Sequence, residues 1–136
     1  MKDKEIVSAS KDLVLDLKNL NRHYVSKGWG YEDWLVNKPD YCGKVLFLKK
    51  GKRLSWHYHK LKDETFYVHD GKLELKYGFM DDIESTATTT TVLEPGDTFH
   101  IPIGLRHQLI ALLDSHVFEF STTHFDEDSY RIIKGD

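Results

Sequence analysis

Cysteine occurs once, at position 42, in a chain of 136 residues. A single thiol excludes any internal disulfide and is compatible with a reducing compartment. Long apolar runs are also missing: none approaches the roughly 20 residues that cross a bilayer. The charged start Met1-Lys-Asp-Lys-Glu lacks the apolar segment of a secretory signal, so a cytoplasmic protein without a membrane partner is expected. Nor is there an excess of positive charge. Nineteen Lys and Arg against 22 Asp and Glu leave a formal charge of −3, which gives no reason to expect nucleic acid as a partner. No internal repeat and no linker interrupts the chain, and its length suits one domain around a single core.

Aromatic residues are plentiful by contrast, with three Trp, seven Tyr and seven Phe. They suit a β-rich fold with an aromatic-lined, sugar-sized pocket, and they suit core packing equally well. Alternating apolar runs predict strands at 29–36, 41–48, 53–59, 64–69, 72–77, 86–92, 99–101, 108–113 and 116–121. Asp70-Gly71 reads as a tight hairpin turn, Asp81 to Glu84 as a solvated acidic loop, and Glu94-Pro95-Gly96-Asp97 as a turn. Near the start, Leu13, Leu15 and Leu17 alternate weakly, which favours a strand between Ile6 and Leu20. Ser8-Ala-Ser-Lys-Asp would instead cap a short helix. Short strands at even spacing imply an all-β sandwich or barrel.

Chemistry concentrates in the histidines. His57 and His59 sit two apart, so on a strand both side chains leave the same face, whereas on a helix they would diverge by about 200°. Glu64 opens the next alternating run, and His107 follows the turn at Pro102-Ile-Gly104. A lone strand histidine is ordinarily a half-buried polar residue. Three imidazoles and a carboxylate at these places are instead a ligand set for one divalent transition metal, such as Zn, Mn, Fe or Ni, built across three strands.

The same residues carry a family resemblance. Gly51-x5-His57-x-His59-x4-Glu64-x6-Gly71 resembles the first cupin motif, and Gly96-x5-Pro102-x-Gly104-x2-His107 resembles the second. Ala111 stands where the second motif usually closes with an asparagine, which is not a ligand. The resemblance implies a small jelly-roll β-barrel over residues 27–131, with the metal in its mouth. Residues 1–26 are then an N-terminal extension able to add a strand, and residues 132–136 a short tail.

The chain is further similar to the cupin domain of type II mannose-6-phosphate isomerases. That similarity runs through Trp29-Gly-Tyr31, Gly51-Lys-Arg53-Leu54-Ser55, Ile101-Pro102-Ile-Gly104-Leu-Arg-His107, Glu119-Phe-Ser121-Thr122 and Asp126-Glu-Asp128-Ser-Tyr-Arg131. His57 departs from it, because that family usually places glutamine there; imidazole for carboxamide would hold a transition metal more tightly. The resemblance implies a metal-dependent aldose–ketose isomerase acting on a sugar or sugar phosphate. The metal would polarise the carbonyl, and a general base inside the barrel would move the proton. His100 and Glu119 are the candidates for that base. Arg131 is the candidate for a sugar oxyanion or phosphate at the rim, with Arg53 and Lys49 as alternative anion anchors. Trp29, Trp56 and Tyr67 are candidates for stacking on a sugar ring. Two other functions fit the same motifs: an Fe(II)-dependent dioxygenase, which would use three histidines and a glutamate, and a non-catalytic sugar-binding cupin. A homodimer paired through sheet edges is expected.

Overall fold

Alternation of period two sets the architecture. In the computed structural model, which describes residues 15–136, the chain forms eleven strands and one 3-10 turn at Asp126–Asp128. The strands are β1 (His23–Lys27), β2 (Gly30–Asn37), β3 (Cys42–Leu48), β4 (Trp56–Tyr58), β5 (Glu64–Asp70), β6 (Leu73–Gly78), β7 (Thr89–Leu93), β8 (Thr98–Ile101), β9 (Arg106–Ala111), β10 (Ser115–Ser121) and β11 (Tyr130–Ile133). They assemble into a six-stranded sheet in the order β1-β2-β3-β10-β5-β8 and a five-stranded sheet in the order β11-β4-β9-β6-β7. Every pairing is antiparallel. Two facing antiparallel sheets form the jelly roll that the strand pattern and motifs lead one to expect.

β3 shows why the sheets face each other. Cys42, Lys44, Leu46 and Leu48 turn inward and are buried, while the residues between them are half-exposed. Leu46, Leu48, Phe66, Val68, Leu73, Leu75, Leu109 and Val117 fill the layer between the sheets. Each such side chain contributes about 1.5–3 kcal/mol on removal from water. The core occupies one end of the sandwich. At the other end the inward positions become polar: Lys44 and Glu119 are cross-strand partners, and Glu64 lies opposite Ser121. That switch from Leu and Val to charge makes a cavity there instead of more core.

Most expected strands are present within a residue or two at each end. The run 86–92 starts later, at Thr89, because Ser85 and Thr88 donate backbone hydrogen bonds into successive turns at Asp82 and Ser85. The acidic loop is less free than its composition implies: the Asp81 carboxylate pairs with Arg106 at 2.7 Å, and its carbonyl accepts a bond from the Trp56 indole. Asp70-Gly71 does turn the chain between β5 and β6. Gly71 has φ +88, and a Cβ there would lie 2.1 Å from Ser115 Oγ, so both backbone angle and space require glycine.

Neither β1 nor β11 was placed by the strand pattern, although residues 1–26 were expected to be able to add a strand. β1 lies almost wholly in that segment and pairs along β2 from His23↔Trp34 to Lys27↔Gly30. β11 pairs with β4 and runs past residue 131. Of the strand expected between Ile6 and Leu20, residues 6–14 lie outside the described residues, and 15–22 form an irregular, turn-containing segment. Among the described residues no helix is long and apolar enough to cross a membrane.

Candidate metal centre

Two paired strands bring the histidines together. His57 on β4 and His107 on β9 are direct cross-strand partners, and His59 follows just past the end of β4. Their ligand atoms all lie within 4.8 Å of one another. The local backbone dictates this, since positions 57 and 59 share a face and antiparallel pairing sets 107 beside 57.

The hydrogen bonds fix which nitrogen is offered. His57 Nδ1 lies 3.0 Å from the Ser55 carbonyl, His59 Nδ1 2.9 Å from that of Asp128, and His107 Nδ1 2.9 Å from that of Leu105. A carbonyl only accepts, so each Nδ1 carries a proton, and Nε2 is the atom each ring can offer to a ligand. His59 Nε2 and His107 Nε2 are buried without a hydrogen-bond partner in the protein. Buried polar atoms are rarely left so, and three imidazoles turning Nε2 toward one small volume fit a divalent cation.

Glu64 approaches from the opposite sheet. Its Oε1 lies 3.1 Å from His107 Nε2 and its Oε2 3.9 Å from His59 Nε2. The carboxylate thus meets two of the three imidazoles and supplies negative charge to the set. Such a donor set suits Zn, Mn, Fe or Ni.

The electrostatics keep these groups ready for a cation. Burial pushes His59 down to about 4, helped by Lys62 and His107 against the pull of Glu64. Burial likewise holds His57 well below the ordinary histidine range, with His107 and His59 adding to it. Burial alone would raise the Glu64 carboxyl, but the Lys62 ammonium and the two histidines outweigh it and hold it well below the usual carboxylate range. Near neutral pH, His57 and His59 are therefore unprotonated and Glu64 is ionised, the forms that ligate.

Lys62 escaped the sequence reading. It is buried, its Nζ 2.9 Å from Glu64 Oε2 and 3.0 Å from Glu119 Oε2. Burial would lower its affinity for a proton, but Glu119 and Glu64 together raise it. The loop that carries it is organised by Asp128, whose buried carboxylate accepts the backbone N–H groups of Lys60, Leu61 and Lys62. Asp128 therefore works twice, orienting His59 by its carbonyl and the ligand loop by its side chain. It had been read only as part of a motif. A buried lysine between two strands leaves no periodic signal, and its role becomes visible only once β10 sets Glu119 opposite it.

The site opens into a cavity of about 620 Å³, a volume typical of small-molecule sites. Trp29, Glu119 and Arg131 line it. Arg131 is the cross-strand partner of His57, which puts it at the rim beside the ligands. At the far end Lys44 is buried against Glu32 Oε1 at 3.2 Å and lies 4.2 Å over the Trp34 ring.

The remaining expected site residues stand elsewhere. His100 is exposed and bonded to Asp63 at 2.6 Å, because its neighbour Ile101 takes the inward position on β8. Tyr67 points outward between buried Phe66 and Val68 and meets Phe118. Lys49 and Arg53 are exposed and do not line the cavity; Arg53 is occupied through its backbone by Asp136. Trp56 is fully buried and its indole is spent on the Asp81 carbonyl.

The tail closes part of the wall. Asp136 N donates to the Arg53 carbonyl, and Arg53 N donates to Asp136 Oδ2 at 2.9 Å. A Cβ on Gly135 would lie 2.6 Å from Ser55 N, and one on Gly28 2.6 Å from the Asp136 carbonyl carbon. Only the absence of a side chain at both positions lets the strap lie this close.

A family model described as "Cupin domain" matches residues 44–120, which span β3 through nearly all of β10. The chain is a cupin. No curated protein sequence matches it. Among solved structures, this cupin is similar to the capsular polysaccharide assembling protein CapF from Staphylococcus aureus, at 20% identity and TM-score 0.70, over 83% of this chain and 34% of that one. It is similar to KdgF from Halomonas sp., at 21% identity and TM-score 0.65, over 77% of this chain and 89% of that one. A variant of oxalate decarboxylase from Bacillus subtilis gives 19% identity and TM-score 0.70, over 83% of this chain and 31% of that one. The chain thus spans about a third of CapF and of oxalate decarboxylase. At these identities the likeness concerns the fold.

Proposed function

We propose that this cupin is a metal-dependent enzyme that moves a proton beside the carbonyl of a sugar or sugar phosphate, the chemistry of an aldose–ketose isomerase. The observation that carries the reading is the shared cavity. It joins three imidazoles and Glu64 at one wall to a second buried carboxylate, Glu119, that is not among the ligands. When bound, the metal would polarise a carbonyl and stabilise oxyanion charge, an effect worth several kcal/mol.

The protein's own groups supply the remaining needs. Glu119 Oε2 is held by Lys62, while no hydrogen bond engages Oε1 among the described residues, so Oε1 is free to take a proton. Lys62 keeps the charge of that carboxylate compensated inside the cavity. Arg131 offers forked donors at the rim to a sugar oxyanion or phosphate, and Trp29 supplies an apolar wall. The association of one structural neighbour, CapF, with capsular polysaccharide agrees with a carbohydrate ligand.

Elemental analysis of the purified protein, followed by exchange of the C1 and C2 protons of candidate sugars in deuterated water, tests the reading. Metal at one equivalent together with anaerobic exchange supports it, and metal with no exchange on any aldose, ketose or their phosphates overturns it. A second reading has a specific observation behind it, because His57 makes the set three histidines and a glutamate. An Fe(II) dioxygenase would show oxygen uptake and no anaerobic turnover. Sugar binding that persists in His59→Ala without any turnover would point to a non-catalytic cupin.

A further inference from the structure

The two oxygens of Glu64 meet different partners. Oε1 faces His107 Nε2 at 3.1 Å, whereas Oε2 lies 2.9 Å from the Lys62 ammonium and farther, 3.9 Å, from His59 Nε2. The ammonium cannot drift away, because it is buried, sits 3.0 Å from Glu119 Oε2, and belongs to a loop whose backbone Asp128 holds at three N–H groups. We propose that Lys62 is a positioning residue that restricts Glu64 to one oxygen toward the metal, which keeps coordination positions open for substrate. The inference rests on the metal reading above.

The physical argument concerns competition for a lone pair. A carboxylate ligates through one or two oxygens at little intrinsic cost, and a buried ammonium paired with one oxygen is enough to decide between them. With Lys62 in place, His57, His59, His107 and one Glu64 oxygen make four protein donors, and a six-coordinate ion retains two places. With both oxygens bound, one of those places is lost. Lys62 also puts a positive charge next to a dication, so it trades affinity for accessibility. This sets its effect apart from that of a structural prop. If Lys62 merely held Glu64 in place, its removal would loosen the metal.

The test is Co(II) titration and crystallography of wild type, Lys62→Arg, Lys62→Met, and Lys62→Met combined with Glu119→Gln. The double variant removes a second buried carboxylate along with the ammonium and protects against a folding failure of the single one. The expected result is Co(II) binding about tenfold tighter or more in both methionine variants, and near wild type in Lys62→Arg. Crystals should show one Glu64 oxygen on the metal in wild type and two in the methionine variants. Unchanged or weaker Co(II) binding, or a single Glu64 oxygen on the metal in all four proteins, would overturn the role of Lys62 while leaving the metal site standing. Absence of both Co(II) and Zn(II) uptake by wild type would instead overturn the metal reading, and this inference with it.

Discussion

Acid should unfold the metal-free protein well before its exposed carboxylates titrate, and His59 sets the scale. Its ring is 4% exposed and pushed from 6.5 down to about 4. A histidine that is harder to protonate in the folded state takes up its proton preferentially in the unfolded chain. Between about 6.5 and about 4, each fall in pH therefore draws the equilibrium toward unfolding; below about 4 both states carry the proton and this contribution levels off. The fall from 6.5 to about 4, at about 1.36 kcal/mol for each tenfold change in proton affinity, amounts to about 3 kcal/mol lost from this one group. His57 and His124 are lowered in the same direction, so they add to the loss. The assay is denaturant unfolding of chelator-treated protein at pH 7, 5.5 and 4.5, with His59→Gln as the comparison. Stability should fall steadily across that window in wild type and less steeply in the variant. Equal slopes in the two proteins, or a flat profile from pH 7 to 4.5, would refute the reasoning that burial keeps His59 neutral.

Other outcomes follow from single contacts. Glu64→Ala or His59→Ala should strip the purified protein of metal and abolish any turnover; full activity in a metal-free preparation would defeat the assignment of these ligands. Glu119→Gln should keep its metal and lose proton exchange by a factor of about 10² to 10⁴, as read by deuterium incorporation into sugar. Asp128→Ala leaves three backbone N–H groups of the ligand loop unbonded. It should cost about 3 kcal/mol or more and weaken metal binding about 10- to 100-fold, as measured by thermal unfolding and competition with a chelator. Gly135→Ala puts a methyl against Ser55 N and should detach the strap, seen as faster hydrogen exchange over residues 130–136 with little change in the core strands.

The barrel and its centre were legible because both are periodic. Strand alternation fixes facing, so the pair at 57 and 59 had to share a face, and turn residues at Pro102 and Gly104 bracket His107. His100 went astray by one step of that same period, since Ile101 is the residue β8 turns inward. β1 and β11 lacked the signal altogether: His23–Lys27 and Tyr130–Ile133 are mostly exposed edge strands with no buried alternation to read. Lys62 and Asp128 were beyond a reading of this kind for another reason. Lys62 is fixed between nearby Glu64 and Glu119, 57 residues away, and Asp128 acts on the loop at Lys60–Lys62, more than 60 residues away. Such pairings exist only after the sheets have closed. Lys49, Arg53 and Tyr67 lie outside the cavity lining, since basic and aromatic residues are equally at home on an outer sheet face.

The partners that hold the three imidazoles have a consequence for how this protein can change. Ser55, Asp128 and Leu105 each grip a ring through the main-chain carbonyl, an atom that every amino acid carries. Mutation cannot delete those acceptors; it can only move the backbone. Side chains around the cavity, from Trp34 and Lys44 at one end to Arg131 at the rim, are under no such obligation to the ligand tautomers. The imidazole cluster and the cavity wall can thus diverge at separate rates, so that the wall is re-lined while the ring orientations are kept.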